Sequence, residues 1–195
     1  MNVPRLFHEL YGEKTTKKTL YGSLFVGFFA TLFIGVVFWS SFGDIALWRT
    51  LLILFFTFDI FAGLVANFSE GTNKYYQQRP RLSRVFIVIH VHPILLTLLA
   101  GEPWLTGLYI YAFMLATATL TYAIQGPNKQ TFFGFFLTLI GVALLLTYFQ
   151  PLPTFLDIIF IAFNFKLIYG FSVNHYRNQA WKSILLVCLV QEKQP

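Results

Sequence analysis

An all-α, multi-pass membrane bundle is the fold class this sequence predicts, on three observations. Of its 195 residues, 56% are hydrophobic and only 11% charged, whereas a soluble domain is about a quarter charged. The apolar residues gather into six runs that approach or exceed the roughly 17–25 residues a helix needs to cross a bilayer. The Lys and Arg residues fall between the runs, concentrated at alternate connections. One integral membrane domain, 1–195, is expected: an interfacial segment 1–18, six helices within 19–172 and a tail 173–195.

Residues 1–18 carry Leu6, Phe7, Leu10 and Tyr11 at helical spacing among Arg5, Glu9 and Glu13. That pattern predicts a short amphipathic helix lying in the interface. The first apolar run, Thr19 to Gly43, is too long for the ~7–15-residue core of a secretory signal, and no small-residue cleavage site follows it. Within it Ser23, Gly27, Thr31 and Gly35 fall four apart, a small-residue stripe against which another helix can pack closely.

The second run covers Leu47 to Phe68. The third, Val85 to Ala100, is short and interrupted at Pro93. Gly101-Glu102-Pro103-Trp104 turns the chain into the fourth run, Leu105 to Ile124. Gln125-Gly126-Pro127-Asn128-Lys129 leads to the fifth, Phe132 to Phe149, and Gln150-Pro151-Leu152-Pro153 to the sixth, Thr154 to Ser172. In the tail Trp181, Ile184, Leu185, Cys188 and Leu189 share a helical face, predicting a second interfacial helix. Cys188 is the one cysteine, which excludes an intramolecular disulfide and a multi-cysteine zinc site.

With six crossings and an internal N-terminus, the inner segments hold twelve of the Lys and Arg residues and the outer ones hold only Arg49; Lys166 lies inside the sixth run. The positive-inside rule therefore places both termini in the cytoplasm, in the cell membrane. The net charge of +6 is accounted for by these helix-end residues, so the expected partner is the lipid bilayer and not nucleic acid.

Ionisable residues inside an apolar helix are costly and mark candidate functional sites. Asp59, Gly63 and Asn67 are four apart and share one face of the second run, and Glu70 continues it just beyond the end. His90 and His92 lie in the third run. Two residues apart on a regular helix they would point to nearly opposite sides, and Pro93, which has no N–H to give to Ile89, supplies the irregularity that would let them converge. The sixth run adds Asn164 and Lys166, and the fourth adds Thr117, Thr121 and Gln125. By depth all these residues fall in the cytoplasmic half or near the middle of the bilayer. The charges of the outer half, Asp44, Glu102 and Asp157, sit at or near turns open to water. The expectation is one polar pocket opening inward.

Each residue also has a plainer reading. The histidines are hydrogen-bonded interior groups, proton carriers or metal ligands with Asp59, Asn67 or Glu70. Lys166 either snorkels to the headgroups or pairs with Asp59 or Glu70. The threonines serve their own helix backbone or the pocket. Lys74, Arg79, Arg81 and Arg84 set topology or hold an anionic headgroup. A haem would lack a second histidine-bearing helix.

No Walker loop, H-E-x-x-H, G-x-S-x-G or desaturase-type histidine box is present. Three function classes remain. The first is a proton- or cation-coupled transporter of a small solute, with Asp59, Asn67, Glu70, His90, His92, Asn164 and Lys166 as binding or relay residues and with a homodimer supplying the bulk that alternating access needs. The second is a membrane-embedded enzyme acting on a lipid-like substrate through a divalent metal on His90, His92 and Asp59. The third is a non-catalytic partner subunit whose small-residue stripe is its contact surface.

Overall fold

The computed structural model describes residues 1–124, 126–149 and 151–176. The expected tail helix with Cys188, the cations Arg177, Lys182 and Lys193, and the glutamine at 125 lie outside the described residues. Among the described residues the chain is helical and has no strand, only an isolated bridge between Asn2 and Lys14. Six segments are long and apolar enough to cross a membrane: Lys17–Val37, Leu47–Asn67, Pro80–Ala100, Trp104–Ala123, Asn128–Thr147 and Thr154–Phe171. The sixth is the central rod, with 67% of its apolar window buried, and the first is peripheral, with 17% buried.

The N-terminal segment differs from the expected free amphipathic helix. A 3-10 turn at Arg5–Phe7 runs into a four-residue helix, α1 (His8–Tyr11), and the chain then doubles back. Gly12 makes this reversal at φ 70, a left-handed conformation that suits a residue without Cβ. A helix of four residues is too short to hold itself, so tertiary contacts decide its shape. The Tyr76 hydroxyl donates to the Glu9 carbonyl (3.0 Å), Thr72 to the Leu10 carbonyl (2.9 Å), and Tyr11 shares a hydrogen bond with Ser23 (2.8 Å).

The first apolar helix, α2 (Lys17–Val37), is capped by the Thr16 hydroxyl, which accepts from the Thr19 N–H. Its small-residue stripe is used within the chain. A Cβ at Gly27 would stand 2.9 Å from Ala62 Cβ, and one at Gly35 would touch Leu54. The stripe is therefore the seat of α3 (Leu47–Asn67) and not a surface left free for a partner subunit.

Beyond α3, Ser69 caps a short helix, α4 (Glu70–Gln77), whose polar residues close one end of the bundle. At that end the Tyr176 hydroxyl donates to the Phe68 carbonyl (2.8 Å) and the Asn73 amide to the Val173 carbonyl (2.8 Å). Loops distant in sequence are thereby tied together. The opposite end is closed by Phe42 against Phe155, ring centroids 4.8 Å apart.

The third segment is two helices, α5 (Pro80–Ile89) and α6 (His92–Ala100). The sequence places the interruption at Pro93, and it falls just ahead, at His90–Val91. Proline is accepted in the first turn of α6, where its missing N–H is not needed; the Ile89 carbonyl that it leaves without a helical donor takes the Val91 N–H instead (2.8 Å). His90, at φ −77 and ψ 55, is the centre of this inverse γ-turn. α7 (Trp104–Ala123), α8 (Pro127–Thr147) and α9 (Thr154–Asn164) complete the bundle, and α9 passes directly into a π-helix, Phe165–Phe171. Asp157, expected near water, is buried, because the start of α9 sits in the middle of the bundle.

Candidate functional site

Three of the ionisable residues singled out by sequence meet between α3, α6 and the π-helix. The Lys166 ammonium donates to Asp59 Oδ2 at 2.8 Å, and His92 Nε2 lies 3.3 Å from the same oxygen. Gly63, one turn after Asp59 on the same face, gives the lysine its room. A Cβ there would be 2.6 Å from Lys166 Cε and 2.7 Å from Nζ. The lysine does not snorkel: its side chain is 3% exposed, against 34% for Asp59 and 16% for His92.

Both helices that deliver the partners of Asp59 are irregular where they do so. The break after Ile89 turns His90 and His92 toward each other, their ring centroids 5.2 Å apart and their planes inclined at 32°. Phe163 sits against both rings, and Phe56 packs edge-on to His92. His90 is held by a hydrogen bond from its Nδ1 to the Phe86 carbonyl, which fixes the proton on that nitrogen and leaves Nε2 as an acceptor. His92 Nδ1 is buried with no hydrogen-bond partner among the described residues. Lys166 is on the first turn of the π-helix, a form that is rare and concentrated at functional sites.

The other sequence-predicted residues divide. Asn67 joins the cluster indirectly, its amide donating to the Lys166 carbonyl at 3.2 Å. Asn164 faces away, donating to the Thr138 carbonyl at 2.7 Å beside Gly141, and so ties α9 to α8. Glu70 is not in the pocket. α3 ends at Asn67, the chain turns at Phe68 and Ser69, and Glu70 starts a new helix where it pairs with Lys74 (2.5 Å) at an exposed position. The expected continuation of the Asp59 face therefore fails because the helix stops. Thr117 returns its hydroxyl to the Phe113 carbonyl of its own helix (2.7 Å). In the basic loop Arg79 pairs with Glu13 (2.5 Å) and lies over the Tyr75 ring, so two of its four cations are already neutralised.

A divalent metal fits this arrangement poorly. Asp59 and His92 are close, but the third position against the carboxylate is held by an ammonium, which repels a dication. Among the described residues no group of three His, Cys, Asp or Glu is placed to hold a metal ion.

The sequence gives no hint of what covers Asp59 on its other side. A groove of about 540 Å³ runs between the N-terminal segment, α2 and α3, and Asp59 and Gly63 are part of its wall together with Phe7, Tyr11, Phe55 and Phe58. Its position follows from the folding back of residues 1–16 onto α4, which no local periodicity announces. Comparison of the chain with protein-family models, curated proteins and solved structures found no match.

Proposed function

We propose that this is a six-span integral membrane protein of the cell membrane, with both termini in the cytoplasm, that couples movement of a small solute to a proton or cation at Asp59. The observation that carries this reading is the triad itself: one carboxylate shared by a buried ammonium and a histidine, set between a broken helix and a π-turn. Carriers build their central sites from interrupted helices, and irregular backbone at membrane depth is tolerated where it lines a cavity or is buried in protein. A carboxylate oxygen shared by an ammonium and an imidazole can release one of them when a proton or cation arrives. His92 places an imidazole against the same oxygen, and its unpartnered Nδ1 is a second place for a proton.

The expected location of the twelve inner cations supports the orientation. The described loops that hold nine of them, around Lys14, Lys74, Arg79 and Lys129, are at the end of the bundle tied together by Tyr176, Asn73 and Gln130. Cysteines placed singly at Thr16 and Ser41 and labelled in intact cells with an impermeant maleimide test it: protection at 16 and labelling at 41 is the expected pattern.

Function is tested in proteoliposomes that contain a pH dye and are given single solutes from a panel of alkali cations, divalent cations, amino acids and sugars. A solute that triggers proton movement in the native protein and not in Asp59→Asn supports the carrier. Stoichiometric zinc, iron or manganese in purified protein, lost in His90→Ala, would replace this reading with the metal-dependent lipid enzyme.

A further inference from the structure

The groove beside Asp59 has a character that the triad alone does not reveal. Its wall is almost wholly apolar, and among the described residues Asp59 is the one charged side chain in it. The Met1 ammonium, which also borders it, is engaged by the Thr15 carbonyl at 2.7 Å. Lys166 lies in the space over Gly63, nearly inaccessible, and is not part of the groove wall. The charged side chain that the wall shows to an occupant is therefore a carboxylate. Lys166 and His92 both use Oδ2 of Asp59, and no hydrogen bond engages Oδ1 among the described residues. Phe7, Tyr11, Phe55 and Phe58 add aromatic surface to the same groove, and aromatic faces attract cations. A volume of about 540 Å³ is within the range of pockets that enclose a drug-sized molecule, typically ~300–1,000 Å³, apolar with a few placed polar groups.

We infer that the groove binds a lipophilic monovalent cation, its charge against Asp59 Oδ1 and its apolar body against the aromatic wall. The inference rests on the reading of Asp59 as the exchange site and names the class of solute that site takes. An anion of equal size would meet the Asp59 carboxylate, while Lys166 is not part of the groove wall. A hydrophilic cation is disfavoured because its hydration shell finds no polar partner along the wall. No covalent step is involved: the cation enters as Asp59 relaxes its hold on Lys166 or His92, and it leaves when a proton takes its place.

Equilibrium binding to the full chain in nanodiscs tests this with two probes of one shape and opposite charge, tetraphenylphosphonium and tetraphenylborate, each scored against empty nanodiscs. The expected result is saturable binding of the cation only, weakened at least tenfold by Asp59→Asn and by Leu24→Trp. Leu24 is a half-exposed residue of the groove wall, so the tryptophan takes up groove volume and leaves all three residues of the triad unsubstituted; it covers the case in which Asp59→Asn fails to fold. Binding of the anion with equal strength, no saturable cation binding, or cation binding indifferent to both substitutions would overturn the inference. Proton-coupled uptake of another solute, lost in Asp59→Asn while tetraphenylphosphonium fails to bind, would sink this inference and leave the carrier standing. Saturable cation binding with no coupled flux would do the reverse.

Discussion

Gly63 and Lys166 occupy each other's space: the lysine's terminal carbons and ammonium lie where any side chain at 63 would begin. The glycine is thus the reason that a cation can reach a carboxylate one turn away on the same helix face. Gly63→Ala is expected to push the ammonium off Asp59, at a cost on the order of 1–3 kcal/mol for overpacking, and to abolish coupled flux. Thermal melting and the proteoliposome assay check the two halves. Unchanged flux at unchanged stability would mean that the close fit has no role.

The Asp59–Lys166 pair is asymmetric in burial, which orders its variants. Removing one member of a buried pair strands the other, typically at about 3–5 kcal/mol. Asp59→Asn strands the nearly inaccessible Lys166, whereas Lys166→Met leaves a carboxylate that is a third exposed and still beside His92. The first is expected to lose more stability than the second, by an amount discounted for that exposure. The double variant is expected to recover most of the loss without recovering activity. A double-mutant cycle by chemical denaturation measures this, and strict additivity would count against a coupled pair.

Gln130 joins three pieces of chain. Its Nε2 donates to the Thr121 and Ser172 carbonyls (3.1 and 3.2 Å), and its Oε1 accepts from the Asn174 N–H (2.9 Å). Gln130→Ala is expected to cost about 1–3 kcal/mol, the range for leaving buried groups unsatisfied. Exchange protection should fall first at residues 172–176, as seen by hydrogen–deuterium exchange.

His175, past the end of the sixth apolar segment, donates from Nε2 to the Tyr169 carbonyl (3.0 Å) and packs on Phe68. Burial holds its pKa below the ordinary value near 6.5. The unfolded chain therefore takes up a proton at a higher pH than the folded one, so the contribution is complete above about 6.5 and shrinks as pH falls from there toward the depressed folded value. Melting temperature is expected to decline from pH 7 to pH 5.5 and to decline less in His175→Gln. An equal slope in both proteins would remove the histidine from the account.

The six apolar segments were readable because each run is long and bounded by turn residues, and because helix-length apolar runs have few alternative folds. The Asp59 face and the convergence of the histidines were readable in part, since spacing and Pro93 constrain them. Glu70 was misplaced because a four-residue period extrapolates only while the helix lasts, and Ser69 restarts the chain as a new cap. Asn164 and Asn67 have the same side chain and similar depth, yet one ties helices and the other serves the triad. That difference is tertiary and leaves no local mark. The partnership of Tyr11 with Ser23, and with it the groove, depends on a chain reversal at Gly12 that a glycine permits but does not specify.

The γ-turn at His90 has a mechanical consequence. Of the described backbone hydrogen bonds, only the one from Val91 to Ile89 crosses between the two halves of the third apolar segment. The pieces on either side can pivot like two jointed rods while each keeps its own ladder intact. A tilt of the upper rod carries His92 with it and leaves His90 tethered to Phe86 below. The distance between imidazole and carboxylate is then adjusted by a joint that costs one hydrogen bond, where an unbroken helix would have had to unwind.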